Sequence, residues 1–335
     1  MNYPILKEGK NFYKHQNYNQ VIDYLKSRDE KIVNVYTQGL KIIEQDNQLF
    51  LTVKNKTKHD TYPVRRSFLY KLLKWFNINY HSISHFTTDT IVKMCNDTIN
   101  AISSRTDNVM LRIENGDAKT IASNRFTVTD DLKVIDIVNK FHDILHISRD
   151  DLCMQIITDY HQVGAEPIVG DTYGFGLSIV NSETGFAMLN AEIYILRYFC
   201  TNGAVSQIKH NVGKVSHYNK SEDFFYYTLK ETLKHKVLQP KYFAKLILNS
   251  KKIKAEKYFP DVQFRIGGII GQSDAYNFFK NFDTSKSKYD LYNFITEKAK
   301  NFSLLEKYEL ERFAGKLLLQ KSNVFDIEEQ MESLI

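Results

Sequence analysis

The chain has only three cysteines in 335 residues, Cys95, Cys153 and Cys200, far apart and odd in number. With no CxxC pair among them, a disulfide scaffold or a cysteine zinc site is excluded, and reduced, buried thiols are expected. Long apolar runs are missing too. No stretch approaches the roughly 20 residues that cross a bilayer, so no membrane partner is expected. The opening MNYPILKEGKNFYKHQ lacks an apolar signal core, which predicts a cytoplasmic protein. GxGxxG, GxxxxGK[ST], HExxH, GxSxG and the kinase set are all absent, so no motif identifies an enzyme and no cofactor is expected. Histidines do recur at i, i+4 (His81 and His85, His142 and His146), but no third ligand accompanies them, and a metal site is not expected. Asp159, Glu166 and Asp171 could pair as carboxylates, a pattern that acidic loops also produce. VGDTYGFG and RIGGIIGQSD carry glycines without a phosphate-loop pattern, and Gly267, Gly268 and Gly271 read as a loop. No repeat, low-complexity tract or clear linker interrupts the chain.

What is present is apolar and mildly basic. Hydrophobic residues make up 43%, enough for a self-sufficient core, and the net charge is +6. A positive excess is compatible with polyanion binding. Lys, Asn, Ile, Tyr and Phe also share AT-rich codons, so genome composition explains the same balance equally well. The 21 Tyr and 22 Phe are mostly core material, with a few left as stacking platforms.

Periodicity predicts an α+β fold: a central, mainly antiparallel sheet of hairpins with packed helices and a helical C-terminal third. Residues 18–29 read as an amphipathic helix and 32–53 as a β-meander turning at Gly39 and Asp46-Asn47. Pro63 is placed at the start of a helix whose apolar face is Phe68, Leu69, Leu72, Leu73 and Phe76. Arg65, Arg66, Lys71 and Lys74 line its other, solvated side. Another helix covers 87–103. Residues 109–145 read strand, Asn115-Gly116 turn, strand and helix, with an N-cap from Thr129-Asp130-Asp131 and a stripe of Ile135, Val138 and Ile144. Strands follow at 152–160, 173–182, 186–200 and 207–212, with a tight link at Glu183 to Gly185, then helices from 220 onward. The composition shift near 218 suggests four parts: 1–60, 61–218, 219–322 and an acidic tail at 323–335.

Chemistry-bearing residues gather around the Asn202-Gly203 turn. Strand alternation puts Tyr194, Leu196, Tyr198 and Cys200 on one face and Ile195, Arg197 and Phe199 on the other. Arg197 is either a structural, ion-paired arginine or a guanidinium held near a phosphate. Lys209, His210, Lys214 and His217 follow the turn, and Gly213 permits close backbone approach. A solvated edge strand protected by lysines fits them as well. In KTIASNR, Lys119, Ile121, Ser123 and Arg125 share a strand face, which forms a basic surface if exposed. The candidate nucleic-acid contacts are therefore Lys119, Arg125, Arg197, Lys209, His210 and Lys214.

Three segments carry a resemblance: LRIENGDAKTIASNRFTVTDD, then LRYFCTNGA followed by IKH, then LYNFITEKAKNF. In these, the chain from about residue 60 to 320 resembles a family of phage and plasmid-like proteins, domain of unknown function 932. The resemblance implies a mobile-element protein in the host cytoplasm and carries over no catalytic residue. By analogy, the hairpin-plus-helix unit at 109–145 is similar to the unit with which single-strand annealing proteins line a basic groove.

Three functions remain open. The first is a non-catalytic nucleic-acid-binding protein, single-stranded DNA favoured, acting in recombination or annealing as a homo-oligomer. The second is an enzyme on nucleic acid with a site near His161, Glu166, Asp171 and Arg197. The third is an interaction protein that engages a host protein, for instance to block a defence.

Overall fold

The computed structural model describes residues 4, 6–12, 18–54, 59–78, 83, 86–158, 165–168, 171–197, 203–206, 214–234 and 240–319. In chain order the elements are α1 (Tyr18–Ser27), β1 (Glu30–Tyr36), β2 (Leu40–Gln45), β3 (Gln48–Lys54), β4 (His59–Pro63), α2 (Arg66–Lys74) and α3 (Thr88–Ser103). Next come β5 (Asn108–Glu114), β6 (Asp117–Ser123), α4 (Asp131–Asn139), β7 (Ile144–Arg149), β8 (Met154–Thr158), β9 (Ala165–Ile168), β10 (Asp171–Asn181), β11 (Asn190–Arg197) and β12 (Gly203–Ser206). The C-terminal part is helical: α5 (Glu222–Lys234), α6 (Pro240–Ser250), α7 (Phe259–Ile270), α8 (Gln272–Phe279), α9 (Lys288–Ala299) and α10 (Leu304–Leu319). Every strand pair is antiparallel, and the α+β expectation holds. No helix among the described residues is long and apolar enough to cross a membrane.

The strands form three sheets: β1-β5-β6, β2-β3-β4 and a six-stranded sheet ordered β12-β11-β10-β8-β7, with β9 on β10. The expected meander therefore splits. A 3-10 turn at Thr37–Gly39 lies between β1 and β2, where the Thr37 hydroxyl donates to the carbonyls of Thr106 and Asp107. That anchor leaves β1 to pair with β5, and only β2 and β3 continue as a hairpin, joined by Asp46-Asn47 with both φ positive. Asn115 and Gly116 make the expected hairpin turn between β5 and β6, at φ 52° and 81°. Asp130 caps α4 by accepting from the Leu132 N–H.

Three sequence expectations are corrected and a fourth is not reached. Pro63 ends β4, and α2 starts three residues later, because Val64 pairs with Leu49 and Ala118 before the chain can coil. Ile144 opens β7 instead of extending α4, so His142 and His146 do not share a helix face. His142 Nε2 lies 3.0 Å from the Leu233 carbonyl, and His146 Nε2 lies 2.6 Å from Ser148 Oγ. Gly267 and Gly268 lie inside α7, since Val262, Ile266 and Ile270 bury a continuous stripe that outweighs the propensity cost of two glycines. Lastly, the strand expected at 207–212 lies outside the described residues.

The six-stranded sheet separates two apolar layers. Neighbours along a strand point to opposite faces, so Ile156 packs with α1, α4 and α5, while Ile157 packs with Leu304 and Tyr308 of α10. The smaller sheets share a third core with α2 and α3. There, Asn96 of α3 hydrogen-bonds both backbone groups of Ile42 in β2. Helices α6 to α10 enclose a further core rich in aromatic residues.

Candidate functional site

Where the small sheet meets the large one, the chain buries charge on an uncommon scale. The side chains of Arg28, Arg65, Arg112, Lys119 and Arg149 are no more than 4% exposed. Around them stand Glu30, Glu114, Asp117, Asp131, Asp151 and Glu183. Glu183 lies at the centre. Its carboxylate accepts from both terminal nitrogens of Arg28 at 2.7 Å, from Lys119 at 2.8 Å, from Arg149 at 3.0 Å and from the Asp131 N–H at 3.0 Å. It also ion-pairs with Arg112 at 3.0 Å. Glu114 accepts from Lys119 at 2.7 Å, Arg65 at 2.8 Å, Arg28 at 3.1 Å and the Tyr24 hydroxyl at 2.7 Å. Burial opposes ionisation of both carboxylates, but the surrounding cations win and hold them far below the usual range.

Oxygens of Glu30, Glu114 and Glu183 lie within 4.8 Å of one another, a separation suited to a metal ion. The donor set does not fit one. Lys119 ion-pairs with all three carboxylates and Arg28 bridges the same three, so a metal would enter beside cations that already neutralise them. The arrangement is a salt-bridge lattice that ties α1, β1, β5, β6, α4 and β7 to the loop before β11.

Lys119 is thereby corrected. It is a member of this lattice and not part of a phosphate-facing surface; a bulge at this point of β6 turns it to the Arg112 side, while Ile121 is buried on the other face with Leu111 and Ile113. Arg65 and Lys71, expected on a solvated helix face, are buried as well. His217 is buried, stacked on Phe126 with centroids 5.2 Å apart, and burial pushes its ring down to about 4. Cys95 and Cys153 are free and buried, as expected.

Two other candidates stay on the surface. Arg125 is exposed in the turn after β6, and Lys214 is exposed beside the bridge from Val215 to Leu189. Arg197 ends β11 opposite Tyr173, but its side chain lies outside the described part of the structure, as do those of Glu166 and Asp171. Lys209, His210, His161 and Asp159 lie outside the described residues altogether.

The structure adds partners to Arg125 that are remote in sequence. Phe126 forms a β-bridge with Tyr218, and their rings meet edge-on at 5.6 Å. The Asn219 N–H donates to the Arg125 carbonyl, and the Thr127 hydroxyl to the Lys220 carbonyl. Lys220 lies 5.1 Å over the ring of Phe224. On the other side of Phe126, Lys71 and Lys74 stand 5.3 and 5.4 Å from the centroid of Phe186. Through Lys71 and the buried ring of Phe126, these contacts connect a belt of surface groups, Lys74, Phe186, Tyr218, Arg125, Lys220 and Phe224, in which Tyr218 is 39% and Phe224 46% exposed. It ends at the acidic first turn of α5, where Glu222 is paired with Lys133. No local sequence signal marks the belt, because its residues come from α2, three loops and α5.

Gly185 holds one margin of the belt. Its φ is +74°, and a Cβ there would meet the Phe126 ring at 2.5 Å and Lys71 Nζ at 2.8 Å. Gly185→Ala is expected to cost about 1–3 kcal/mol in a urea titration, from left-handed strain and displaced neighbours together. A cost within error of zero would show that the loop relaxes freely.

Compared with protein-family models, curated proteins and solved structures, the chain finds no match in any of the three.

Proposed function

We propose that the chain binds single-stranded nucleic acid, DNA favoured, along the surface that runs from Lys74 to Phe224. The observation that carries this reading is the grouping of exposed or half-buried rings (Phe186, Tyr218, Phe224) with exposed cations (Lys74, Arg125, Lys220). Rings stack bases of any sequence, and cations replace the counterions of the phosphates between them. The resemblance to domain of unknown function 932 supplies a fitting setting, recombination or annealing in a mobile element. The site differs from the one read in the sequence: Arg125 is kept, Lys119 is dropped, and Tyr218, Lys220 and Phe224 are added.

The test is fluorescence anisotropy with a labelled oligothymidine and its duplex, from low to near-physiological salt. The expected result is preference for the single strand and a log-linear loss of affinity with salt. Tyr218→Ala is expected to weaken binding by about 1–3 kcal/mol, the worth of one stacked base. No binding at low salt, or full affinity in the Arg125→Ala/Tyr218→Ala/Lys220→Ala variant with its fold intact, would remove this function.

A second reading has its own observation. Phe264 on α7 and Tyr276 on α8 are 70% and 68% exposed, as rings at a protein interface are before the partner docks. A host protein partner would take that face.

A further inference from the structure

Beneath Phe186 lies a cationic arrangement that the rest of the molecule does not balance. Lys71 and Lys74 are one turn apart on α2, and both ammonium groups approach the same ring. Lys71 is 3% exposed. Its Nζ donates to the Gly185 carbonyl at 2.8 Å and lies 5.8 Å from the Phe126 centroid. Among the described residues neither lysine has a carboxylate partner. Burial and the charge of Lys74 push the Lys71 ammonium down to about 8. His217, the titratable ring on the Phe126 side, is held neutral and brings no negative charge.

The lattice is built differently. There the same chain gives every buried cation at least one carboxylate. Here a buried ammonium has one carbonyl for three N–H donors, and its nearest charged neighbour is another ammonium. Like charges one helical turn apart are unfavourable by themselves. An anion beside them turns that interaction favourable, and the half-buried ring that both ammonium groups approach is placed to stack whatever adjoins the anion.

We infer that Lys74 contacts one backbone phosphate of a bound single strand, with the buried ammonium of Lys71 adding its charge from one turn away and Phe186 stacking the adjoining base. The inference rests on the single-strand reading above and names the place where the strand is gripped most tightly.

The experiment compares salt slopes. Anisotropy titrations of the labelled oligothymidine are run at several salt concentrations on the full chain and on Lys74→Met, Lys71→Met/Lys74→Met and Phe186→Leu. Loss of one neutralised phosphate lowers the slope of log affinity against log salt by about 0.7. The double variant is expected to show that loss and to bind about tenfold more weakly at low salt. Phe186→Leu is expected to bind several-fold more weakly with the parental slope, because stacking releases no counterion. A merely structural Lys71 would alter unfolding and leave the slope alone. If the double variant does not fold, Lys74→Met, changed at an exposed position, still tests the seat through its own slope. Parental slopes in every lysine variant, with Arg125→Ala still weakening binding, would overturn the seat and leave the wider belt standing. No binding by the parent protein would overturn both.

Discussion

Glu183→Gln is expected to cost about 3–5 kcal/mol in urea or guanidinium unfolding. Glu183 pairs with Arg28, Arg112, Lys119 and Arg149 and accepts an N–H from the first residue of α4. The amide keeps the shape and removes the charge, so these cations lose a shared counterion in a place where water cannot replace it. Part of this cost reflects stranded partners and not the worth of the lattice. A second change that removes one of those cations should therefore recover some of it. The Glu183→Gln/Lys119→Met variant is expected to be more stable than the sum of the two single changes implies, by at least about 1 kcal/mol. Strict additivity, or a cost under about 1 kcal/mol for Glu183→Gln alone, would mean that the lattice is looser than its distances state. Because the pairs are buried, raising salt to 1 M should leave the cost almost unchanged, unlike the DNA binding proposed for the belt.

The second large effect is on acid stability. Glu114 and Glu183 titrate far below their usual range when folded. A carboxylate with a depressed folded pKa contributes stability above its unfolded pKa and loses it as pH falls. Below about pH 4.5 each should cost roughly 1.4 kcal/mol per pH unit, about 2.8 together, down to the pH where the chain unfolds. Asp150 acts in the opposite sense. Burial pushes it up to about 6, although it accepts from the N–H groups of Leu152, Cys153 and Leu304. Its folded form takes up a proton before the unfolded form does, so through Asp150 stability rises as pH falls from about 7 toward 4. His217, whose ring burial pushes down to about 4, acts against Asp150 over nearly the same range, because the unfolded ring protonates first, so the two largely cancel and the steep fall begins below about pH 4.5. Asp150→Asn is expected to uncover the His217 effect, so that stability falls as pH drops from about 6.5 toward 4, and to leave the acid side alone. Denaturant unfolding at half-unit pH intervals checks both arms, and a profile that stays flat from pH 4.5 to 3 would contradict the depressed carboxylates.

Local elements were largely legible in the sequence. Residues 18–27, 88–103 and 108–123 form the helices and hairpin that their periodicity and the Asn115-Gly116 turn predict. These depend on contacts within a few residues, and the side chains state them directly. Misreadings arose where distant segments decide. In strand alternation Lys119 and Ile121 look like one face of a basic surface. A bulge turns the two to opposite faces, and only the approach of the loop carrying Glu183, 64 residues away, makes the Lys119 face interior. Gly267 and Gly268 look like a loop until the stripe on α7 finds its partners in α9 and α10.

The sequence alone determined the α+β class, the hairpins, the lack of an apolar span and a basic, aromatic character. It also contained every charge of the lattice and every ring of the belt, but not their neighbours. Tertiary structure decided which cations were buried with carboxylates, as Lys119 and Arg112 are, and which were left facing outward, as Arg125 and Lys74 are. The physical reason is that a charged side chain has the same composition and spacing in both fates. Its role depends on whether folding brings a counter-charge to within about 3 Å, and these counter-charges arrive from elsewhere in the chain.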